Sequence, residues 1–131
     1  MLTVNDLMTV APRTVHLTTP LIEVLEIMRT EGCRQLPVID HGELVGIVTD
    51  RDIRSILTSP IFMTGTAEAV MTPDPITVTP DTPGYRAAEM LSLYKFGALP
   101  VVEGKQLVGI VTVTDFLEHF KSQARSDNNR D

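Results

Sequence analysis

Residues 44–52 read Leu44-Val45-Gly46-Ile47-Val48-Thr49-Asp50-Arg51-Asp52, and residues 107–115 read Leu107-Val108-Gly109-Ile110-Val111-Thr112-Val113-Thr114-Asp115. The two stretches lie 63 residues apart, and the same offset lays Met8–Asp52 on Met71–Asp115 without a gap, with 18 identical positions out of 45. Ordinary composition would give roughly three. Working outward, Leu36-Pro37-Val38 returns as Leu99-Pro100-Val101, Glu26 as Glu89, and Thr19-Pro20 as Thr82-Pro83. Met8-Thr9, Pro12 and Thr14-Val15 return as Met71-Thr72, Pro75 and Thr77-Val78. A unit of this size has too much surface for its volume to hold a core alone. The duplication therefore predicts two copies packed as one body about an internal pseudo-twofold axis.

Each copy reads as strand, helix, strand, strand, helix, which makes the chain an α+β protein of two β-α-β-β-α repeats. Arg13–His16 and Ile76–Thr79 are short extended segments. Thr19-Pro20 and Thr82-Pro83 predict helix starts, with Thr as N-cap and Pro in the first turn. Leu21, Val24, Leu25 and Met28 then form one apolar stripe at helical spacing, and Ala87, Ala88, Met90 and Leu91 keep the same rhythm. Gly32 and Gly97 stand near the ends of these helices. Leu36–Asp40 and Glu43–Thr49 read as a hairpin about His41-Gly42, and Leu99–Val102 and Gln106–Thr112 as its copy about Glu103-Gly104-Lys105. Short helices are expected over Arg51–Leu57 and Thr114–Lys121. The expected boundaries are 4–57 for the first repeat, 58–66 for a connector, 67–121 for the second repeat, and 122–131 for a polar, disordered tail. Ile61, Phe62 and Met63 are too apolar for a free linker and should lie against the body.

Composition excludes several classes. With a net charge of −6, the chain lacks the summed positive charge of a nucleic-acid or anionic-membrane surface. Cys33 is the one cysteine in the sequence, so no internal disulfide can form. No apolar run reaches the 18 or so residues of a membrane span, and no secretory leader is visible, so a cytoplasmic location is expected. His16, His41 and His119 are scattered and unrepeated, which speaks for surface or capping roles over metal ligation. Asp50 and Asp52 do not share a helix face, so they make a poor carboxylate pair. Nucleophile–base and phosphate-loop motifs are missing. We expect no catalytic residues, no metal and no enzyme.

Two copies of LPV[IV]-turn-LVGIVT-x-x-D, each preceded by MT-x-x-P-x-TV and a TP-initiated helix, resemble a tandem pair of cystathionine-β-synthase (CBS) domains. The resemblance covers residues 4–121, and the ordered set occurring twice makes it specific. It implies a disc-shaped module with a cleft between the repeats, a regulatory role, and frequent pairing as a homodimer. It also implies an adenosine-containing ligand in the cleft: AMP, ADP, ATP, S-adenosylmethionine or a dinucleotide. Such a module, with no catalytic or transport domain attached, would act in trans on a regulated partner.

Thr49-x-x-Asp52 and Thr112-x-x-Asp115 fall where a strand turns into a helix. In the resembled family this threonine hydroxyl meets a phosphate and the aspartate accepts from the ribose hydroxyls. The chemistry suits the residues, since a helix N-terminus favours an anion and an ionised carboxylate is a pure acceptor for a diol. The same spacing is also a variant of the capping box, which requires no ligand. By family position, the Thr112 and Asp115 site would include Ile110, Met8, Arg13, Cys33, Arg34 and Gln35. The Thr49 and Asp52 site would include Ile47, Met71, Ile76, Phe96, Gly97 and Ala98. The first is favoured for phosphate because Arg13 and Arg34 can present charged forks. The competing reading is a ligand-free dimerisation or adaptor domain whose T-x-x-D motifs only cap helices.

Overall fold

The computed structural model describes residues 1–128. The elements in chain order are α1 (Val4–Leu7), β1 (Thr9–Val10), β2 (Val15–His16), α2 (Leu21–Glu31), β3 (Gln35–Asp40), β4 (Glu43–Thr49), α3 (Asp50–Arg54), α4 (Ile61–Thr64), α5 (Ala67–Val70), β5 (Thr72–Pro73), α6 (Gly84–Tyr94), β6 (Ala98–Glu103), β7 (Gln106–Thr112) and α7 (Val113–Asn128). They gather into two compact units. One comprises Met1–Ala11 with Ile76–Asp131, and the other Pro12–Pro75. The first eleven residues thus fold with the second sequence repeat, and the segment around α5 and β5 folds with the first.

The Pro12–Pro75 unit is built on a four-stranded sheet ordered β2-β3-β4-β5. The β2–β3 pair is parallel and the others antiparallel. Leu21, Val24, Ile27 and Met28 of α2 close over Leu36, Val38 and Val48, with Ile53 and Ala67 completing the core. These four stand at i, i+3, i+6 and i+7, one face of the helix, with Ile27 fully in the stripe and the expected Leu25 half-buried at its edge. In the other unit the sheet order is β1-β7-β6, and Val78 bridges to Val101 at its far side. Val4, Ala87, Leu91, Leu99, Val101 and Val111 form its core. Both hairpins slip register at the same place, Val38/Ile39 and Val101/Val102. This leaves Val45 and Val108 as the extra residues of matching β-bulges.

The hairpin turns explain the displaced glycine. His41 and Gly42 both adopt positive φ, at 49° and 77°, as a type I′ turn demands. In the copy only the first turn residue, Gly104, does so, at 65°, so the glycine moves one place forward with the turn type.

Several expectations need correction. Pro20 and Pro83, not Thr19 and Thr82, hold the N-cap positions of α2 and α6. Each threonine instead closes the turn before the helix, its Oγ1 accepting from His16 N–H at 2.9 Å and from Thr79 N–H at 3.0 Å. The extended segment at Ile76–Thr79 contributes a bridge and no strand, because Pro75 and Pro80 flank it and supply no ladder donors. α3 starts one residue early and stops at Arg54, while α7 runs on past Lys121. Residues 122–128, expected to be disordered, continue that helix, and residues 129–131 of the expected tail lie outside the described residues. The connector carries α4, whose Phe62 packs on the core, although Met63 is exposed. Two short helices, α1 and α5, escaped the sequence reading. In the first, Asp6 accepts from Thr3 N–H at 2.8 Å. That backbone donor, with the Thr3 hydroxyl second, holds the Asp6 carboxyl below its usual value.

Candidate functional site

β4 and β7 each end in the T-x-x-D motif and pass directly into a helix, so the two motifs occupy equivalent places in the two units. Thr49 N–H donates to Asp52 Oδ2 at 2.9 Å, and Asp52 N–H donates to Thr49 Oγ1 at 3.2 Å. The copy matches it, with Thr112 N–H to Asp115 Oδ2 at 2.7 Å and Asp115 N–H to Thr112 Oγ1 at 3.2 Å. Both are reciprocal capping boxes. All four residues are half-buried. Each box engages Oδ2, whereas an ionised carboxylate has about four acceptor positions. Each threonine oxygen accepts one N–H and keeps its own hydroxyl proton to donate. Capping and ligand binding are therefore chemically compatible at these residues.

Within its unit, each motif sits beside the strand that opens the same hairpin. Gln35 pairs with Thr49, and Asp50 N–H donates to the Arg34 carbonyl at 2.9 Å. Ala98 pairs with Thr112, and Val113 N–H donates to the Gly97 carbonyl at 3.1 Å. Of the residues grouped by family position with Thr112 and Asp115, Met8 and Ile110 share their unit, while Arg13, Cys33, Arg34 and Gln35 belong to the Pro12–Pro75 unit. Of those grouped with Thr49 and Asp52, Ile47 and Met71 share their unit, while Ile76, Phe96, Gly97 and Ala98 belong to the other.

Met8 and Met71 are positioned by a feature the sequence reading missed. β1 crosses β7 at Thr9↔Ile110 and Val10↔Gly109, and β5 crosses β4 at Thr72↔Ile47 and Pro73↔Gly46. A Cβ built on Gly109 would meet Met8 Sδ at 2.6 Å, and one on Gly46 would meet Met71 Sδ at 2.5 Å. The glycine in each G-I-V-T is thus the gap into which the methionine just before the crossing strand fits. Both partners repeat at the same offset, which was the signal available.

The charged and apolar candidates differ in character. Arg13 Nε is 3.1 Å from Glu31 Oε2, with both side chains about half exposed, at 53% and 43%. An ion pair that exposed is worth no more than about 1 kcal/mol, so a phosphate could displace it. Arg13 also lines an open depression of about 320 Å³ with His16, Thr19, Glu23, Ile27 and Ile39, which reaches neither T-x-x-D motif. Arg34 is exposed. Burial, followed by the nearby Glu31 charge, pushes the Cys33 thiol up, so it is a poor nucleophile near neutral pH. Ile76 and Phe96 are exposed, and the Phe96 ring stacks on Tyr94 at 5.4 Å. Such surfaces suit a flat heterocycle. His16 and His41 both approach Asp40, at 3.2 and 3.1 Å. No group of three or more metal-ligating side chains occurs among the described residues. Among those residues no helix is long and apolar enough to cross a membrane.

The sequence profile of the CBS domain matches residues 4–59 and again 67–122. A CBS domain-containing protein of Dictyostelium discoideum is 31% identical over 128 residues, covering 88% of both chains. Larger enzymes are also similar: an inosine-5'-monophosphate dehydrogenase of Korarchaeum cryptofilum is 36% identical over 113 residues, but the chain spans only 22% of its length. Among solved structures, the CBS domain pair of protein MJ0100 in complex with 5'-methylthioadenosine and S-adenosyl-L-methionine superposes with a TM-score of 0.85 at 33% identity, covering 94% of this chain and 98% of that one. CBSX2, of Arabidopsis thaliana, in complex with AMP gives 0.85 at 31% identity, covering 95% and 99%.

Proposed function

Because the chain belongs to the CBS domain family, with two tandem copies, we propose that it is a regulatory module that binds an adenosine-containing ligand and signals in trans to a partner protein. AMP, ADP and ATP are the first candidates, with S-adenosylmethionine next. In this reading the module performs no chemistry of its own and works in the cytoplasm. The observation that carries the proposal is the geometry of the two capping boxes. Each presents a threonine hydroxyl and a half-buried aspartate with acceptor capacity to spare at a helix N-terminus. Support comes from two relatives of this fold whose complexes hold AMP, or 5'-methylthioadenosine and S-adenosylmethionine. Asp115 and Asp52 would accept from ribose hydroxyls, and Thr112 and Thr49 would donate to a phosphate. We favour the Thr112 and Asp115 motif for phosphate, because Arg13 and Arg34 are grouped with it and the Arg13 ion pair is weak enough to exchange.

A second reading, the ligand-free adaptor, draws on the fact that both boxes close without any ligand. Titration calorimetry with AMP, ADP, ATP, S-adenosylmethionine and a GTP control separates the two. Asp115→Asn and Asp52→Asn are suitable variants, because asparagine keeps an oxygen for the cap while losing the anionic acceptor. A hydrogen bond to a charged group is worth about 1.5–3 kcal/mol, so one variant should weaken one adenosine ligand by about 10- to 100-fold with little change in melting temperature. Equal affinity in the wild type and both variants would remove the ribose role. No binding by any adenosine ligand would favour the adaptor.

A further inference from the structure

The depression beside Arg13 lies within the Pro12–Pro75 unit, away from both T-x-x-D motifs. At about 320 Å³ it falls at the small end of small-molecule sites, which run from roughly 300 to 1,000 Å³. α2 lines it on one side, and β2 with the turn after it and β3 on the other. Its apolar part is the buried Ile27 and the half-buried Ile39. Around these stand one side chain of each sign, the Arg13 guanidinium and the Glu23 carboxylate. Glu23 enters no ion pair among the described residues, and Glu31 engages Arg13 only at Nε, one of five N–H donors. The His16 ring is already held, with Nδ1 accepting from Thr18 N–H at 3.2 Å and Nε2 facing Asp40 Oδ1 at 3.2 Å, so it serves as a wall. β2 is an edge strand. His16 N–H turns to the open side, toward Thr19 Oγ1 at 2.9 Å. Alternate residues of a strand address the same edge, so Thr14 offers its N–H and carbonyl there too.

We propose that this depression binds the zwitterion of a small apolar α-amino acid. Its carboxylate meets Arg13, its ammonium meets Glu23, and its side chain lies on Ile27 and Ile39. The Thr14 N–H and carbonyl complete the match, donating to the carboxylate and accepting from the ammonium. The opposed charges select this class. A simple anion would face Glu23 and a simple cation Arg13, whereas a ligand carrying both signs meets each with its opposite. The duplicated copy shows that the fold itself does not need these groups. At the 63-residue offset Arg13 becomes Ile76, His16 becomes Thr79 and Glu23 becomes Arg86. Arg86 is already paired with Glu89 at 2.8 Å. The second repeat keeps the helix and the hairpin but not the opposed charges, so the site belongs to the first repeat alone. It does not depend on nucleotide binding, since no residue of either T-x-x-D motif lines it.

Two-dimensional amide NMR of the full chain, titrated with leucine, isoleucine, valine and methionine, tests this without any nucleotide. So small a ligand in an open site calls for concentrations up to about 20 mM. At least one of the four should shift the Thr14, Glu23 and Ile39 amides saturably and leave those of Ile110 and Val111 in place. Its N-acetyl and its amide derivatives, each lacking one charge, should bind about tenfold more weakly or worse. Glu23→Gln should weaken the free amino acid by about the same factor and the N-acetyl derivative no further, because the ammonium that Glu23 reads is already gone. Glu23 is exposed, so the variant should keep the wild-type melting temperature. No saturable shift with any of the four would overturn the assignment. So would shifts centred outside the depression, derivatives that bind as well as the free amino acid, or full affinity in Glu23→Gln.

Discussion

A single missing methyl group sets the candidate site at the residue scale. At Gly109 an added Cβ would fall 2.6 Å from Met8 Sδ and 3.0 Å from the Thr9 carbonyl oxygen. The methionine could swing aside, but the backbone oxygen could not without disturbing the β1–β7 pairing. Gly109→Ala should therefore lower stability by about 1–3 kcal/mol, the usual cost of overpacking. Adding Met8→Ala should then cost less in the alanine background than in the wild type, because the two residues share one space. Urea unfolding of the four proteins measures this, and strict additivity would show that the contact does not matter. The T-x-x-D spacing was legible in the sequence, because a capping box is local and three residues long. The glycine's purpose was not, because its partner lies about a hundred residues away in the chain.

Helix ends show the same division at the scale of elements. The stripe of α2 and its glycine stop were readable from spacing, and Gly32 does take the left-handed C-cap at φ 67°. The copy was harder to read. Gly97 is the nearest glycine, yet the left-handed residue is Lys95 at φ 58°, the true counterpart of Gly32 at the 63-residue offset. A side chain in this region costs roughly 1–2 kcal/mol, partly offset by the freedom glycine loses on folding. Lys95→Gly should accordingly stabilise by about 0.5–1 kcal/mol. Gly32→Ala should destabilise by about 1 kcal/mol through backbone strain alone, since no atom lies within 4 Å of the added Cβ. Chemical denaturation of both variants gives the test, and shifts of the same sign would mean that cap conformation is not what separates them. The misread helix starts have a related cause. A threonine before a proline satisfies an N-terminus by pattern, but here its hydroxyl is held by the preceding turn.

For the whole molecule, the duplication announced two repeats but not which segments fold together. Met8-Thr9 and Met71-Thr72 are identical, and so are the L-V-G-I-V-T strands they could join. Pairing within a repeat and pairing across repeats therefore bury the same side chains and form the same hydrogen bonds, and sequence cannot tell them apart. The structure takes the crossed choice. Residues 1–11 join the second repeat's unit, where Val4 is fully buried and Gly84 N–H donates to the Leu2 carbonyl at 2.8 Å. Val4 N–H also donates to the Thr82 carbonyl, again at 2.8 Å. Removing residues 1–11 should consequently strip a core valine, a strand from the edge of β7 and the clasp on the start of α6, all from one unit. Hydrogen exchange would register the loss, because local opening follows local burial and backbone pairing. Amides near Gly84, Val101 and Ile110 should exchange faster in the truncated chain, while those near Leu36 and Val48 keep their protection. The opposite pattern, with the Pro12–Pro75 unit loosening first, would return the N-terminal segment to its own repeat.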